Sequence, residues 1–143
     1  MKKIIYSSIL IIFLLISGCT SETSEILDKD EEKIMETALN YIEGWYEGDE
    51  SRMEEALHPE MIKRRFENGE LTELDTSRMV DSTKRGGGVN APKENFEIEV
   101  EVLDKSENIA SVVTRSEYID YLHLAKVKDK WVIVNVLWDM NRN

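Results

Sequence analysis

The residues able to do chemistry in this sequence are few, and their spacing gathers most of them near the C-terminal end. Tyr121 and His123 alternate with Leu122 and Leu124, so in an extended segment they share a face with Ala125 and Val127. A two-residue turn at Lys128-Asp129 would add Val132, Val134, Val136 and Trp138 to that face. A mostly apolar face carrying Tyr, His and Trp suits a concave small-molecule site. Tyr41 and Trp45 lie one helical turn apart and would close over it. His58 is the other histidine, placed either as an acid or base near neutral pH or as a cation at a helix end. The candidate ligand-binding set is therefore Tyr41, Trp45, His58, Tyr121, His123 and Trp138; the alternative for each is a packed core position. Asp120 and Asp139 are the nearby carboxylates, and a carboxylate beside an apolar cavity and a tyrosine donor can abstract a proton. Asp120 would equally serve to interrupt the strand between Tyr118 and Tyr121. No residue is assigned as catalytic.

Other chemistries are excluded by composition. One cysteine, two histidines and no HExxH leave no zinc site, and the dispersed carboxylates contain no EF-hand loop, so neither metal nor cofactor is expected. With 18 Lys and Arg against 29 Asp and Glu, the net charge of −11 argues against nucleic acid as a partner. Gly86-Gly87-Gly88 lacks the GxxxxGK[ST] spacing of a phosphate loop and reads as flexible punctuation, a candidate mobile pocket rim. Lys63-Arg64-Arg65 is a basic island; alternation puts Lys63 and Arg65 on one strand face, read as solvated.

The N-terminus reads as an address. Lys2 and Lys3 precede an apolar stretch from Ile4 to Ile16, shorter than the ~20 residues a membrane span needs and suited to a secretory signal. Ile16-Ser17-Gly18-Cys19 resembles the lipobox of bacterial lipoproteins. The resemblance implies cleavage before Cys19, acylation of its sulfur, and an exported protein anchored to a bacterial membrane, inner or outer. The expected organisation is a cleaved signal over 1–18, a lipidated cysteine and polar tether over 19–29, and one domain over 30–143.

Within that domain the elements segregate. A helix is predicted from about Glu31 to Glu47, with Ile34, Ala38, Tyr41 and Trp45 on one stripe and Met35, Leu39, Ile42 and Tyr46 on the next. A short helix to Leu57 follows, then a hairpin around Asn68-Gly69 and a helix from Asp75 to about Arg85. The rest is strand: Phe96, Ile98, Val100 and Val102 alternate with Glu97, Glu99 and Glu101, and strands over 109–118, 121–127 and 131–140 follow. Helices first and strands last argue an α+β fold.

The run Tyr41-Ile42-Glu43-Gly44-Trp45-Tyr46-Glu47-Gly48-Asp49, then Leu57-His58-Pro59, is similar to the nuclear transport factor 2-like (SnoaL-like) fold. Asp120 to Val127 and Trp131-Val132-Ile133-Val134-Asn135 resemble its putative lumazine-binding subgroup. The resemblance covers about Asp30 to Asp139. It implies a cone with a long N-terminal helix and short helices packed on a curved antiparallel sheet, a pocket between helix and sheet, and often a homodimer through the sheet. The function expected is a small-ligand-binding or interaction domain without catalysis, its ligand small and apolar or aromatic. The alternatives are a ketosteroid-isomerase-like isomerase or dehydratase using an Asp and a Tyr in the cone, and a structural dimerisation module.

Overall fold

The computed structural model describes residues 20–142, and the backbone alone over 20–28. The expected signal peptide and Cys19 lie outside the described residues. The elements run α1 (Thr20–Glu47), α2 (Glu50–Ala56), β1 (Leu57–Glu67), β2 (Glu70–Asp75), α3 (Thr76–Lys84), β3 (Glu99–Lys105), β4 (Ile109–Arg115), β5 (Tyr118–Val127) and β6 (Lys130–Met140). The α+β fold with helices on one curved sheet is as expected from the sequence. Helix α1 begins eleven residues before the expected Glu31, so the stretch read as a polar tether is helical from Thr20.

The six strands are ordered β2-β1-β6-β5-β4-β3. All neighbours are antiparallel except β1 and β6, which run parallel, so the sheet is mixed rather than wholly antiparallel. The parallel pair arises because α3 and the loop after it intervene between the first hairpin and the β3–β6 meander. Helix α1 lays Ile34, Ala38, Tyr41, Ile42 and Tyr46 onto the inner sheet face, where they meet Val112, Leu122, Leu124, Trp131, Ile133 and Val136. Leaving so many large apolar side chains in water would cost about 1.5–3 kcal/mol each, which is what holds the helix to the sheet.

Local signals placed the short elements. Asp49 caps α2, accepting from the backbone N–H of Ser51 and Arg52, and Asp75 caps α3 through Arg78. Asn68 and Gly69 take positive φ (53° and 85°) in the β1–β2 turn, as a two-residue hairpin requires. Lys128 does the same at φ 60° in the β5–β6 turn, a position glycine usually fills.

Two expectations about loops and strands are corrected. Gly86-Gly87-Gly88 is not a free rim: the loop lies flat on the Trp45 indole. A Cβ on Gly88 would fall 2.5 Å from Trp45 Nε1 and 2.6 Å from the Trp45 carbonyl oxygen, and one on Gly87 2.3 Å from the Trp45 ring. Glycine is there because nothing larger fits. Asp120 does not interrupt a strand; it sits inside β5, and the break falls at Ser116-Glu117.

Candidate functional site

The turn at Lys128-Asp129 has the expected two residues, yet β5 and β6 do not share the predicted face. Ala125 opposes Val132, but one extra residue in β6 shifts the register between His123 and Leu124. The residue accommodated there, Val134, reverses the parity of everything after it in β6. Tyr121 and His123 therefore stand on the outer face with Asn135 and Leu137, while Val136 and Trp138 stand on the inner face opposite Leu122 and Asp120. The six candidates do not form one pocket. Tyr41 and Trp138 point into the cone. Tyr121 and His123 are exposed on the far side of the sheet, Trp45 lies under the glycine loop, and His58 sits at the start of β1.

Inside the cone the structure assembles a polar cluster that sequence reading missed. Lys63 is buried, not solvated: alternation along β1 was right, but the face it selected is the inner one. Its Nζ donates to Asp120 Oδ1 and to Tyr41 Oη, both at 2.6 Å, and Tyr41 Oη donates to the same Asp120 oxygen at 3.0 Å. Lys63 Nζ also lies 4.7 Å from the Trp138 ring centroid, and the Arg65 guanidinium carbon 4.5 Å. Tyr118 meets the Trp138 ring edge-on at 5.4 Å. Burial and, secondarily, the Asp120 charge push the Tyr41 hydroxyl well above its ordinary range, so it remains a proton donor. A second inner tyrosine, Tyr46, is raised by burial to about 12 and donates to Ser116 Oγ at 2.9 Å.

This arrangement decides what Asp120 can do. A carboxylate opposite a tyrosine inside a cone is the pairing proton abstraction uses. Here the carboxylate is already matched by a buried ammonium, so its charge is spent on Lys63 rather than offered to a substrate. Asp139 is on the outer face and exposed. His58 Nδ1 accepts from the Glu60 N–H at 3.2 Å, and its carbonyl accepts from Thr76 Oγ1 at 2.6 Å, which fixes it against α3, away from both sheet faces' centres.

The outer face carries two rows across the strands. One is polar: Arg64 donates to Glu73 and to Asn135, both at 2.7 Å, and the Asn135 amide lies 3.3 Å from His123 Nδ1. The other is apolar, with Leu71, Phe66, Leu137 and Tyr121 all exposed, Phe66 by 66%. Phe66, Ile119, Tyr121 and Leu137, with Trp138 and Asp139 at the edge, enclose a shallow hollow of about 260 Å³. That is near the small end of ligand sites, enough for a flat ring system against aromatic edges. Of the sequence candidates only Tyr121 presents its side chain to this hollow; Trp138 borders it from the other side of the sheet, its ring packed against Lys63, Arg65 and Tyr118. Among the described residues no group of His, Cys, Asp or Glu is placed to hold a metal ion, and no helix is long and apolar enough to cross a membrane.

A curved mixed sheet closed by one long and two short helices defines the nuclear transport factor 2-like class. The chain belongs to the family described as putative lumazine-binding, which matches residues 29–139. It is similar to an NTF2-like protein of unknown function from Silicibacter pomeroyi DSS-3, at TM-score 0.67 and 12% identity, covering 80% of this chain and 98% of that one. It is also similar to an NTF2-like protein of unknown function from Methylobacillus flagellatus KT, at TM-score 0.65 and 20% identity, covering 79% and 93%. A third likeness, at TM-score 0.57 and 12% identity over 81% and 99%, is to a protein described as a putative dehydratase of the NTF2-like family from Streptomyces avermitilis. At these identities the likeness is one of fold. Among curated proteins none matches the chain.

Proposed function

We propose that this chain is an exported, lipid-anchored domain that binds a small aromatic or apolar ligand without catalysis, in the outer-face hollow of Phe66, Ile119, Tyr121 and Leu137. The observation that carries the reading is the contrast between the two faces. The cone interior is filled by Tyr41, Lys63 and Asp120 bonded to one another, whereas the outer hollow is open and edged with aromatic rings. Membership of a family described as putative lumazine-binding supports a small-ligand role. The anchor is supported by Ile16-Ser17-Gly18-Cys19. Cys19→Ala should leave an unprocessed or soluble protein, and membrane partitioning at the mature mass in that variant would end the lipoprotein reading.

Binding is tested by titrating the protein with lumazine and other flat heteroaromatic compounds while following tryptophan emission, since Trp138 borders the hollow. Saturable quenching that Tyr121→Ala and Phe66→Ala weaken at least tenfold supports the site. Saturable quenching indifferent to both variants places the ligand elsewhere. The second reading, an isomerase or dehydratase of the ketosteroid-isomerase type, draws on the Tyr41–Asp120 hydrogen bond; turnover of a ketosteroid abolished by Asp120→Asn would favour it. The exposed Leu71, Phe66, Leu137 and Tyr121 row also suits a homodimer through the sheet, which sedimentation equilibrium would report and Tyr121→Glu would break.

A further inference from the structure

Helix α1 is tied to the sheet at three depths. Asp30 accepts from Lys126 Nζ at 2.7 Å and from Trp131 Nε1 at 3.2 Å, Tyr41 donates to Asp120 at 3.0 Å, and Tyr46 donates to Ser116 at 2.9 Å. Moving from the N-terminal to the C-terminal end of α1, its partners therefore move backwards along β5 from Lys126 to Asp120 and on to Ser116 in the turn before it, so the two elements run antiparallel. The N-terminal end of α1 leads out of the domain past the β5–β6 turn. The β3–β4 turn reaches that same end, where Lys126 N donates to the Asn108 carbonyl at 2.9 Å and Lys105 pairs with Glu31.

The helix does not stop where the domain does. It continues ten residues beyond Asp30 to Thr20, a rise of about 15 Å. Its first described residue, Thr20, is next to Cys19 in the sequence. The tip of the β5–β6 hairpin advances only two or three residues beyond Lys126, roughly 7–10 Å. Resting on the lipid-anchored reading above, we propose that α1 is a rigid stalk that fixes the domain's orientation. The β5–β6 and β3–β4 turns then face the bilayer within about a Debye length, ~8–10 Å, and the opposite end, with Tyr46, the glycine loop and Glu94, points away.

The surface at the bilayer end fits that placement. Residues 126–130 hold three lysines and one aspartate in a chain of net charge −11. Lys128 stands exposed at the turn, and Ile109 and Val127 are 64% and 42% exposed beside it. Lysines and isolated apolar side chains are tolerated at a headgroup surface, where the acidic remainder of the chain would be repelled. Asp104, Glu107 and Asp129 share this end, and Lys126 and Lys130 are paired with Asp30 and Glu55, so the lysines only offset nearby carboxylates and the stalk sets the orientation. The orientation also bears on the ligand. Tyr121 lies six residues from Val127 along β5, roughly 20 Å farther from the bilayer than the turn. The hollow is thus held in the aqueous layer and selects a water-dissolved ligand over a membrane lipid.

The test uses the full chain, processed by a bacterial lipoprotein pathway and reconstituted into vesicles of phosphatidylethanolamine and phosphatidylglycerol. Cys19 is the chain's one cysteine and is consumed by the lipid, so Lys128→Cys and Glu94→Cys each take a single fluorophore. Headgroup-spin-labelled lipid should quench the label at position 128 several-fold more than that at position 94. Ile26→Pro, which breaks the stalk, should leave flotation intact and shrink the contrast. Equal quenching at the two positions, or stronger quenching at 94, overturns the orientation while the anchor stands. A contrast untouched by Ile26→Pro overturns the stalk. Protein that does not float with the vesicles removes the anchored reading, and the orientation with it.

Discussion

Removing the ammonium of Lys63 is the perturbation that bears hardest on the closed cone. Lys63→Met keeps the length of the side chain and its packing against Trp138, but it leaves the Asp120 carboxylate buried with only Tyr41 for company. Breaking a buried ion pair from one side costs about 3–5 kcal/mol, because the remaining charge is uncompensated. Loss of the cation over Trp138 adds about 0.5–2 kcal/mol. Against a total stability of about 5–15 kcal/mol this is a large share, on the order of 10–20 °C in melting temperature. Urea denaturation of residues 20–143 at pH 7 measures it, with Asp120→Asn and the double variant completing a cycle. The asparagine side chain in the double variant can still accept from Tyr41 and carries no charge, so the pair should recover about 1–3 kcal/mol relative to additivity. A cost below about 1 kcal/mol for Lys63→Met, or strictly additive effects, would mean that the carboxylate reaches water. The cone would then be open, and Asp120 would be free to act as a base.

Gly88→Ala should destabilise the domain by about 1–3 kcal/mol on a thermal melt, since the new methyl collides with both the Trp45 ring and the Trp45 carbonyl; an unchanged melt would mean that the loop does not rest on Trp45. The hydrogen bond from Lys126, ahead of that from Trp131, holds the Asp30 carboxyl below its ordinary range. Its folded-state value is lower than its unfolded one, so its contribution is complete above about pH 4 and is lost as pH falls through the folded value. Asp30→Asn should therefore be less stable at pH 7 and show a flatter acid limb. At the alkaline end, Tyr41 and Tyr46 are raised by burial, so stability should decline as pH climbs above about 10, where the unfolded tyrosines ionise first. Tyr41→Phe should soften that decline.

The sequence made the elements legible because each was marked locally. Capping aspartates at 49 and 75, the Asn68-Gly69 turn, and the apolar arc from Ile34 to Tyr46 needed no tertiary information. What it left unreadable depended on a neighbour in space. One extra residue at Val134 turned Trp138 away from Tyr121, and no composition signal marks a bulge inside an apolar strand. Lys63 reads as a surface charge until Asp120, 57 residues later, is seen opposite it. An inward-phased Lys63 and Arg65 on one strand, and a single aspartate inside an apolar run on another, are the available clue, and only their juxtaposition gives it meaning. Likewise, the three glycines suggested freedom, whereas the indole of Trp45 makes them a close-contact surface. The parallel β1–β6 pairing follows from chain routing through α3, which alternation along a strand cannot reveal.

Whether ligand binds outside the cone or within it is settled by backbone amide spectra of isotope-labelled protein, recorded during a titration with lumazine and other flat heteroaromatic compounds. Binding in the outer hollow predicts saturable shifts confined to Phe66, Ile119, Tyr121, Leu137 and their neighbours, with Tyr41 and Lys63 unmoved. Shifts centred on Tyr41 and Lys63, with Phe66 silent, would refute the outer site and return the ligand to the interior of the cone.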